Sequence, residues 1–386
     1  MQYKFWSILS EKRKKRCRFC LLICFCWFSL CADAQNKSAY SFSFFYGWGK
    51  VIPTNDFVRG KNTKKRPISE LCSFSLRLTR HTSGEESWHS QYDYPSYGIG
   101  LFKTVFNVPN QLGEPTAFYF FLTKPIFKSE KYTISGDYAA GVAFNWLHFS
   151  LQHPERTAMG GAVSCYLDAT LLLTREVSDN VDFSFGLSLS HFSNGAMKKP
   201  NFGINTVSAK FAFDYFPYKK PRRVISKSDA FDPCFVDLWS VFAGAHNEIT
   251  RFSQEDKPPF ERRSYCVFGI DRRVVRRFNI KHSLGAGCGI GYDQYITKKD
   301  RFNVSAYLCY EYRVHRVSLI VEPGIYIYKS KSDESPLFFQ RIGLRYYMKD
   351  NCFAAINLRA AYFSVAQYIE WSLGYALSNP KAKNTD

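Results

Sequence analysis

The chain lacks the features of a helical membrane protein or a fibrous one. Beyond residue 35 no apolar run reaches the length of about 18 residues that a membrane-spanning helix needs. Its 16 Pro and 23 Gly follow no period, which excludes collagen-like and low-complexity chains. After residue 34 there is no Cys-x-x-Cys pair, so zinc-ribbon and thioredoxin-like readings fail. Acidic residues are scarce, 33 against 52 Lys and Arg, giving a net charge of +19. Such an excess favours anionic partners. Aromatics, in contrast, are plentiful: 36 Phe, 25 Tyr and 7 Trp. That content excludes disorder, which goes with few aromatics and low hydrophobicity.

The N-terminus reads as a secretory leader. Lys12, Arg13, Lys14, Lys15, Arg16 and Arg18 form a positive segment, Phe19 to Leu30 an apolar one, and Ala32-Asp33-Ala34 a small-x-small cleavage site. Residues 1–34 are therefore expected to be removed on export, taking Cys17, Cys20, Cys24, Cys26 and Cys31 with them. The seven remaining cysteines are widely spaced: Cys72, Cys165, Cys234, Cys266, Cys288, Cys309 and Cys352. They read as small apolar strand residues, with room for one disulfide but not for a scaffold of them. An exported basic chain with its charges scattered among aromatic strands points to anionic lipid, not nucleic acid, as its partner.

Strict alternation runs through the rest. Over 181–190 one face reads Val181, Phe183, Phe185, Leu187, Leu189 and the other Asp182, Ser184, Gly186, Ser188, Ser190. The same period of two recurs over 161–174, 205–216, 302–312, 316–328 and 367–377, which is the signature of strands. About sixteen such segments follow one another. Strands of this length, aromatic enrichment and an export leader together predict an all-β antiparallel outer-membrane barrel, apolar outside and polar inside. Two arrangements fit: one barrel of about 14–16 strands, or an eight-stranded barrel followed by a second β module. Either way the chain divides into a leader (1–34), a first β-barrel half (35–216), a basic linker (217–234) containing Lys219, Lys220, Arg222 and Arg223, a second half (235–378) and a polar tail (379–386). Long connections near 50–67, 149–160, 194–203 and 250–262 all fall at one end, the outer one, if the chain enters from the periplasm.

The most specific motif is His191-Phe-Ser193-Asn194-Gly195, continued by Pro200-Asn201-Phe-Gly203-Ile-Asn205. His191 and Ser193 are two apart at the end of a strand and share its apolar, outward face. Asn205 begins the next strand on the same face, and the expected hairpin sets it opposite Ser193. A hydroxyl beside an imidazole, with a third polar group orienting the ring, is what acyl transfer requires. On the outer rim of a barrel it would meet the acyl esters of membrane lipids.

On these residues the chain resembles the lipid A 3-O-deacylase (PagL-type) family of small outer-membrane barrels, which remove an ester-linked acyl chain from the lipid A of lipopolysaccharide. The resemblance implies Ser193 as nucleophile and His191 as general base, with Asn194 and neighbouring N–H groups as oxyanion donors and Asn201 in support. It implies no cofactor and no metal. The family pattern has Glu as third member where this chain has Asn205, so either Asn205 or a carboxylate from another strand completes the triad. His148-Phe149-Ser150 is a second His-x-Ser that lacks the Asn-rich continuation. The basic residues Lys50, Arg59, Lys61, Lys64, Lys65 and Arg66 read as a solvated loop or a contact for lipid A phosphates. The competing functions are a non-catalytic barrel, acting as a pore or a surface-binding protein, and a secreted carbohydrate-binding sandwich.

Overall fold

The computed structural model describes residues 40–218, 220–221, 223–224, 231–251, 260–296, 300–348 and 351–378. The expected leader, the linker residues Lys219 and Arg222, and the polar tail lie outside the described residues.

Among the described residues sixteen antiparallel strands form, matching the count of about sixteen expected from the alternation. The first eight are β1 (Tyr40–Ile52), β2 (Glu70–His81), β3 (Ser96–Phe106), β4 (Gly113–Lys128), β5 (Tyr132–Trp146), β6 (Ser164–Glu176), β7 (Val181–Ser193) and β8 (Ile204–Tyr215). Two short helices, α1 (Ser87–Gln91) and α2 (Pro109–Leu112), interrupt the connections on either side of β3. After the linker come β9 (Cys234–Arg251), β10 (Phe260–Arg277), β11 (His282–Asp293), β12 (Phe302–Val314), β13 (Val317–Tyr328), β14 (Phe338–Tyr347), β15 (Cys352–Ala361) and β16 (Val365–Ser378).

Of the two arrangements left open by the sequence, the structure adopts the second. β8 pairs back onto β1 from Phe42↔Tyr215 to Ile52↔Asn205, and β16 pairs back onto β9, so the strands close into two eight-stranded barrels instead of one large one. The alternation is the same in either case. What differs is which strand accepts the last row of backbone hydrogen bonds, and no local pattern encodes that choice.

Alternation dictates what each face meets. On β7, Phe183, Phe185, Leu187 and Leu189 are exposed on the outside, whereas Asp182, Ser184, Ser188 and Ser190 are buried inside. Both barrels repeat this inside-out arrangement, which suits an exterior bathed in hydrocarbon. Their interiors are filled, not open. In the first barrel Arg77 grips Asp137 with two hydrogen bonds of 2.9 Å, and Lys210 pairs with Asp168 at 2.8 Å. Towards the end where β7 finishes, Phe102 and Phe192 stack on Tyr166 and Trp146 meets Phe192 edge-on, with ring centroids 4.9–5.2 Å apart.

The second barrel encloses an ion network instead. Arg273 meets Glu322 at 2.6 Å and Asp271 at 3.2 Å; Arg341 meets Asp271 at 2.9 Å and Glu322 at 3.1 Å. Arg345 pairs with Glu311 at 2.7 Å, and Arg359 with Glu370 at 3.4 Å. All these side chains are nearly inaccessible. Four guanidinium groups thus face four carboxylates, the neutral balance that lets charges stay buried. The seven described cysteines are free thiols on strands, so the disulfide that the sequence left possible does not form among them.

The barrels touch at both ends. At the end bearing α1, Trp88 stacks on His315 with centroids 4.8 Å apart, Tyr92 Oη donates to the Ile280 carbonyl at 3.1 Å, and Lys124 Nζ donates to Tyr312 Oη at 3.1 Å. This 82–95 connection is long although it lies at the end opposite the long connections expected from the sequence, and it carries Trp88 and Tyr92 to that contact. At the opposite end, Lys199 of the β7–β8 loop pairs with Glu248 of β9 at 2.6 Å.

Replacing Glu322 by Ala would leave Arg273 and Arg341 without a shared buried carboxylate. The expected loss is about 3–5 kcal/mol of stability, read as a lower denaturant midpoint of the folded protein in lipid or detergent.

Candidate active site

The site is built at the end of β7, where the inward residue does the anchoring. Phe192 is 1% exposed and packs on Tyr166 and Trp146 inside the barrel. It fixes the backbone between His191 and Ser193, so both side chains must point outward, one rung apart. Their odd-numbered neighbours Leu187 and Leu189 are on the same exposed face.

The β7–β8 register differs from the expected one by two residues: Asn205 lies opposite His191, not opposite Ser193. A shift of two keeps every side chain on its face, so Asn205 still points outward but now meets the imidazole. His191 Nδ1 and Asn205 Oδ1 are 2.6 Å apart. The amide oxygen can only accept, so Nδ1 carries the proton and Nε2 is left with a free lone pair. Asn205 thus stands where it can orient the imidazole.

Ser193 is held by the loop that follows. Its Oγ accepts from Asn201 Nδ2 at 2.9 Å and from the Gly195 N–H at 3.1 Å. Asn201 also accepts the Asn194 N–H on Oδ1 at 3.3 Å, which fixes which way its amide faces and braces the two limbs of the loop. Among the described residues these are the hydrogen bonds to the Ser193 hydroxyl, and the imidazole is not one of its partners. A turn about the Ser193 Cα–Cβ bond is needed to bring the hydroxyl to His191. Asn194 is buried, and its Nδ2 donates at 2.9 Å to the Lys198 carbonyl. Its side chain therefore shapes the loop; the donors at the serine are Asn201 Nδ2 and Gly195 N–H. The Gly195 N–H is one of the backbone groups beside Asn194 that the resemblance implied as donors, and here it reaches the serine.

Gly203 completes the packing. Its φ of +71° lies in the left-handed region, and a Cβ there would come within 3.2 Å of His191 Cε1 and 3.6 Å of Ser193 Cβ. Only glycine combines that backbone with that clearance. The residue is clamped by Asn55, whose Nδ2 donates to the Gly203 carbonyl at 3.0 Å, and by its own N–H on the Ala158 carbonyl at 2.9 Å. Three outer connections, 53–69, 147–163 and 194–203, thus converge on the site. Asn55 is a residue that sequence reasoning passed over, since nothing in its neighbourhood links it to the distant Gly203.

Around the polar trio the outward surface is apolar: Leu167 of β6 beside His191, Ile52 of β1 beside Asn205, then Leu189 and Val207, all exposed. Cys165 is the cross-strand neighbour of Ser193. The basic residues sit on the loop that carries Asn55. Arg59 and Lys61 share Asp56, at 3.6 and 2.7 Å, while Lys64, Lys65 and Arg66 are exposed and Lys50 points outward from β1. The rival motif does not assemble. His148 Nδ1 contacts the Phe149 carbonyl at 2.9 Å, and Ser150 Oγ accepts the His153 N–H at 3.2 Å, both in coil beyond β5. Of the linker bases, Lys220 pairs with Asp182 at 2.5 Å and Arg223 lies over Tyr94, at the end remote from the site.

Residues 73–214 match the family model of lipid A 3-O-deacylase (PagL), and residues 236–379 match that of the acyloxyacyl hydrolase C-terminal domain. The chain belongs to the PagL family. The two matches correspond to the two barrels, so the second barrel is itself a recognised part of proteins of this kind. Among solved structures the chain is similar to the outer membrane enzyme PagL, at 13% identity and a TM-score of 0.30, over 44% of this chain and 97% of that one. It is also similar to the translocator domain of the autotransporter NalP from Neisseria meningitidis, at 7% identity and a TM-score of 0.21, over 94% and 97% of the two chains. No curated protein matches.

A Gly203→Val variant should place its side chain against His191 and Ser193. The expected result is loss of Ser193 labelling by a fluorophosphonate probe, while the barrel keeps its folded mobility in a gel run without heating. Labelling at the wild-type rate would show that the close packing is not needed.

Proposed function

We propose that this protein is an outer-membrane serine esterase that removes an ester-linked acyl chain from lipid A. The observation that carries the proposal is the 2.6 Å contact between His191 Nδ1 and Asn205 Oδ1, one rung from Ser193, on a surface turned to lipid. That contact leaves Nε2 as the base. In the reaction Ser193 Oγ gives its proton to Nε2 and forms a bond to the ester carbonyl carbon. Asn201 Nδ2 and the Gly195 N–H, already at the serine, are the donors closest to the developing oxyanion. Collapse of the tetrahedral intermediate breaks the bond to the sugar oxygen, which takes the proton from His191. Water, deprotonated by the same imidazole, then releases the fatty acid and restores Ser193.

Asn205 orients the ring without a negative charge, as the asparagine of Cys-His-Asn proteases does. The site would face the outer leaflet, where lipopolysaccharide lies, with the exposed leucines and valine below it contacting acyl chains. Lys64, Lys65 and Arg66 on the neighbouring loop are suited to the phosphates of the same lipid. Export through a cleaved leader is part of this reading.

Lipid A from cells expressing wild type should lose one acyl chain by mass spectrometry, and cells expressing Ser193→Ala should not. Equal acylation in both, at equal protein levels, would remove Ser193 from the mechanism. Asn205→Asp preserves the acceptor and adds charge, so its turnover should equal or exceed wild type, whereas Asn205→Ala should fall by about tenfold or more. The pore reading makes an opposite demand on the lumens. Because ion pairs and aromatic stacks fill both, purified protein in a planar bilayer should show no steady ion conductance.

A further inference from the structure

We propose that the second barrel holds the catalytic loop in place, with Glu248 and Asn247 acting as positioning residues for Ser193. The inference rests on the esterase reading for its effect on turnover, but not for the tie itself. The 194–203 loop brings both hydrogen-bond donors to Ser193, so its shape decides where the hydroxyl sits. Its descending limb is tied to the first barrel: Phe202 N–H donates to the Thr157 carbonyl at 3.2 Å, and Gly203 is bound as described above. Its ascending limb is held differently. Asn194 Nδ2 to the Lys198 carbonyl and Met197 N–H to the Asn194 carbonyl, at 3.2 Å, are contacts within the loop. Lys198 packs on Gly160 and Gly161 of the first barrel, while the hydrogen bonds of Lys199 run to the second.

Three contacts make that tie. Lys199 Nζ meets Glu248 Oε1 at 2.6 Å, and the Lys199 N–H donates to Asn247 Oδ1 at 3.3 Å. Gly195, the other donor to Ser193, presses on the side chains of Ile369 and Leu358 so closely that a Cβ there would strike Ile369. Ile369 points out of its barrel, as Trp371 and Leu373 on the same strand do, yet it is only 6% exposed where those two are exposed. The first barrel's loop is part of what covers it.

The second barrel's side of the contact is braced. Asn247 Nδ2 donates to the Arg263 carbonyl at 3.1 Å and to Ser264 Oγ at 3.3 Å. Glu248 Oε1 is 3.2 Å from His246 Nδ1, and His246 Nε2 is 3.1 Å from Asp293 Oδ1. Lys199 therefore joins a four-membered polar chain, Asp293–His246–Glu248–Lys199, anchored in the mouth of the second barrel. A rigid partner at the loop's apex restricts the freedom of Gly195 and Asn201 and so aligns Ser193 for attack, a factor to which rates are steeply sensitive.

The test uses the full chain with Glu248→Lys, Lys199→Glu and the double exchange. Each single variant should lower kcat on lipid A by about tenfold or more, with KM within about twofold of wild type. The double exchange restores the ion pair and should return kcat to within about threefold. Asn247→Ala, which keeps the ion pair, should give a smaller loss of kcat. Unchanged kcat in the single variants, or no recovery in the double, would overturn the assignment. Hydrogen–deuterium exchange over 194–199 separates this inference from the esterase proposal. If wild type cleaves no lipid A but exchange rises in Glu248→Lys and falls again in the double variant, the tie stands and the esterase reading falls. If exchange does not respond to either single variant, the tie itself is refuted.

Discussion

The whole structure depends on backbone hydrogen bonding in a medium that offers no partner. A strand facing hydrocarbon cannot leave its N–H and C=O groups open, so a spanning sheet has to close on itself. Here closure happens twice, β8 onto β1 and β16 onto β9. Once a sheet is closed, its period of two assigns every side chain to lumen or exterior without further choice. The outward placement of His191, Ser193 and Asn205 follows from this. They occupy the odd positions of strands whose even positions fill the interior, and Phe192 seals that assignment from within.

The site divides its work between elements of different stiffness. His191 and Asn205 are strand residues in adjacent rungs, so their 2.6 Å contact is maintained by the ladder beneath them. The donors at Ser193 come from a loop, which has no ladder of its own and is held from outside by Asn55, Thr157 and Ala158 of the first barrel and by the second barrel at its apex. Function on a loop supported by a rigid scaffold is a common arrangement. What is particular here is that the scaffold is shared between two closed sheets.

The two lumens solve the same problem with different chemistry. The first relies on two ion pairs and a stack of aromatic rings, the second on four arginines matched by four acids. Both pair their buried charges internally, and both leave the barrel filled. The aromatic cluster lies directly behind the rung that carries His191 and Ser193. The ionic lumen of the second barrel ends, at its mouth, in the His246–Glu248 pair that meets the 194–203 loop.

Much of this was legible in the residues. Alternation such as Phe183, Phe185, Leu187, Leu189 against Ser184, Ser188, Ser190 gave the strand class, the approximate strand count and the outward face of His191 and Ser193, because period and burial are local properties. The spacing of His191 and Ser193 on one face was equally local. The pairing partner of β8, the two-residue shift that sets Asn205 beside His191, the clamp from Asn55 and the contact of Lys199 with Glu248 were not. Each depends on which distant segment arrives at the same place, and the same alternating pattern is satisfied by one barrel or by two. The sequence by itself therefore determined the strands, their faces and the motif from which the site is proposed. Only the tertiary structure decided the closure, the register and the loop's support, since hydrogen bonds between strands are made by backbone groups that every residue shares.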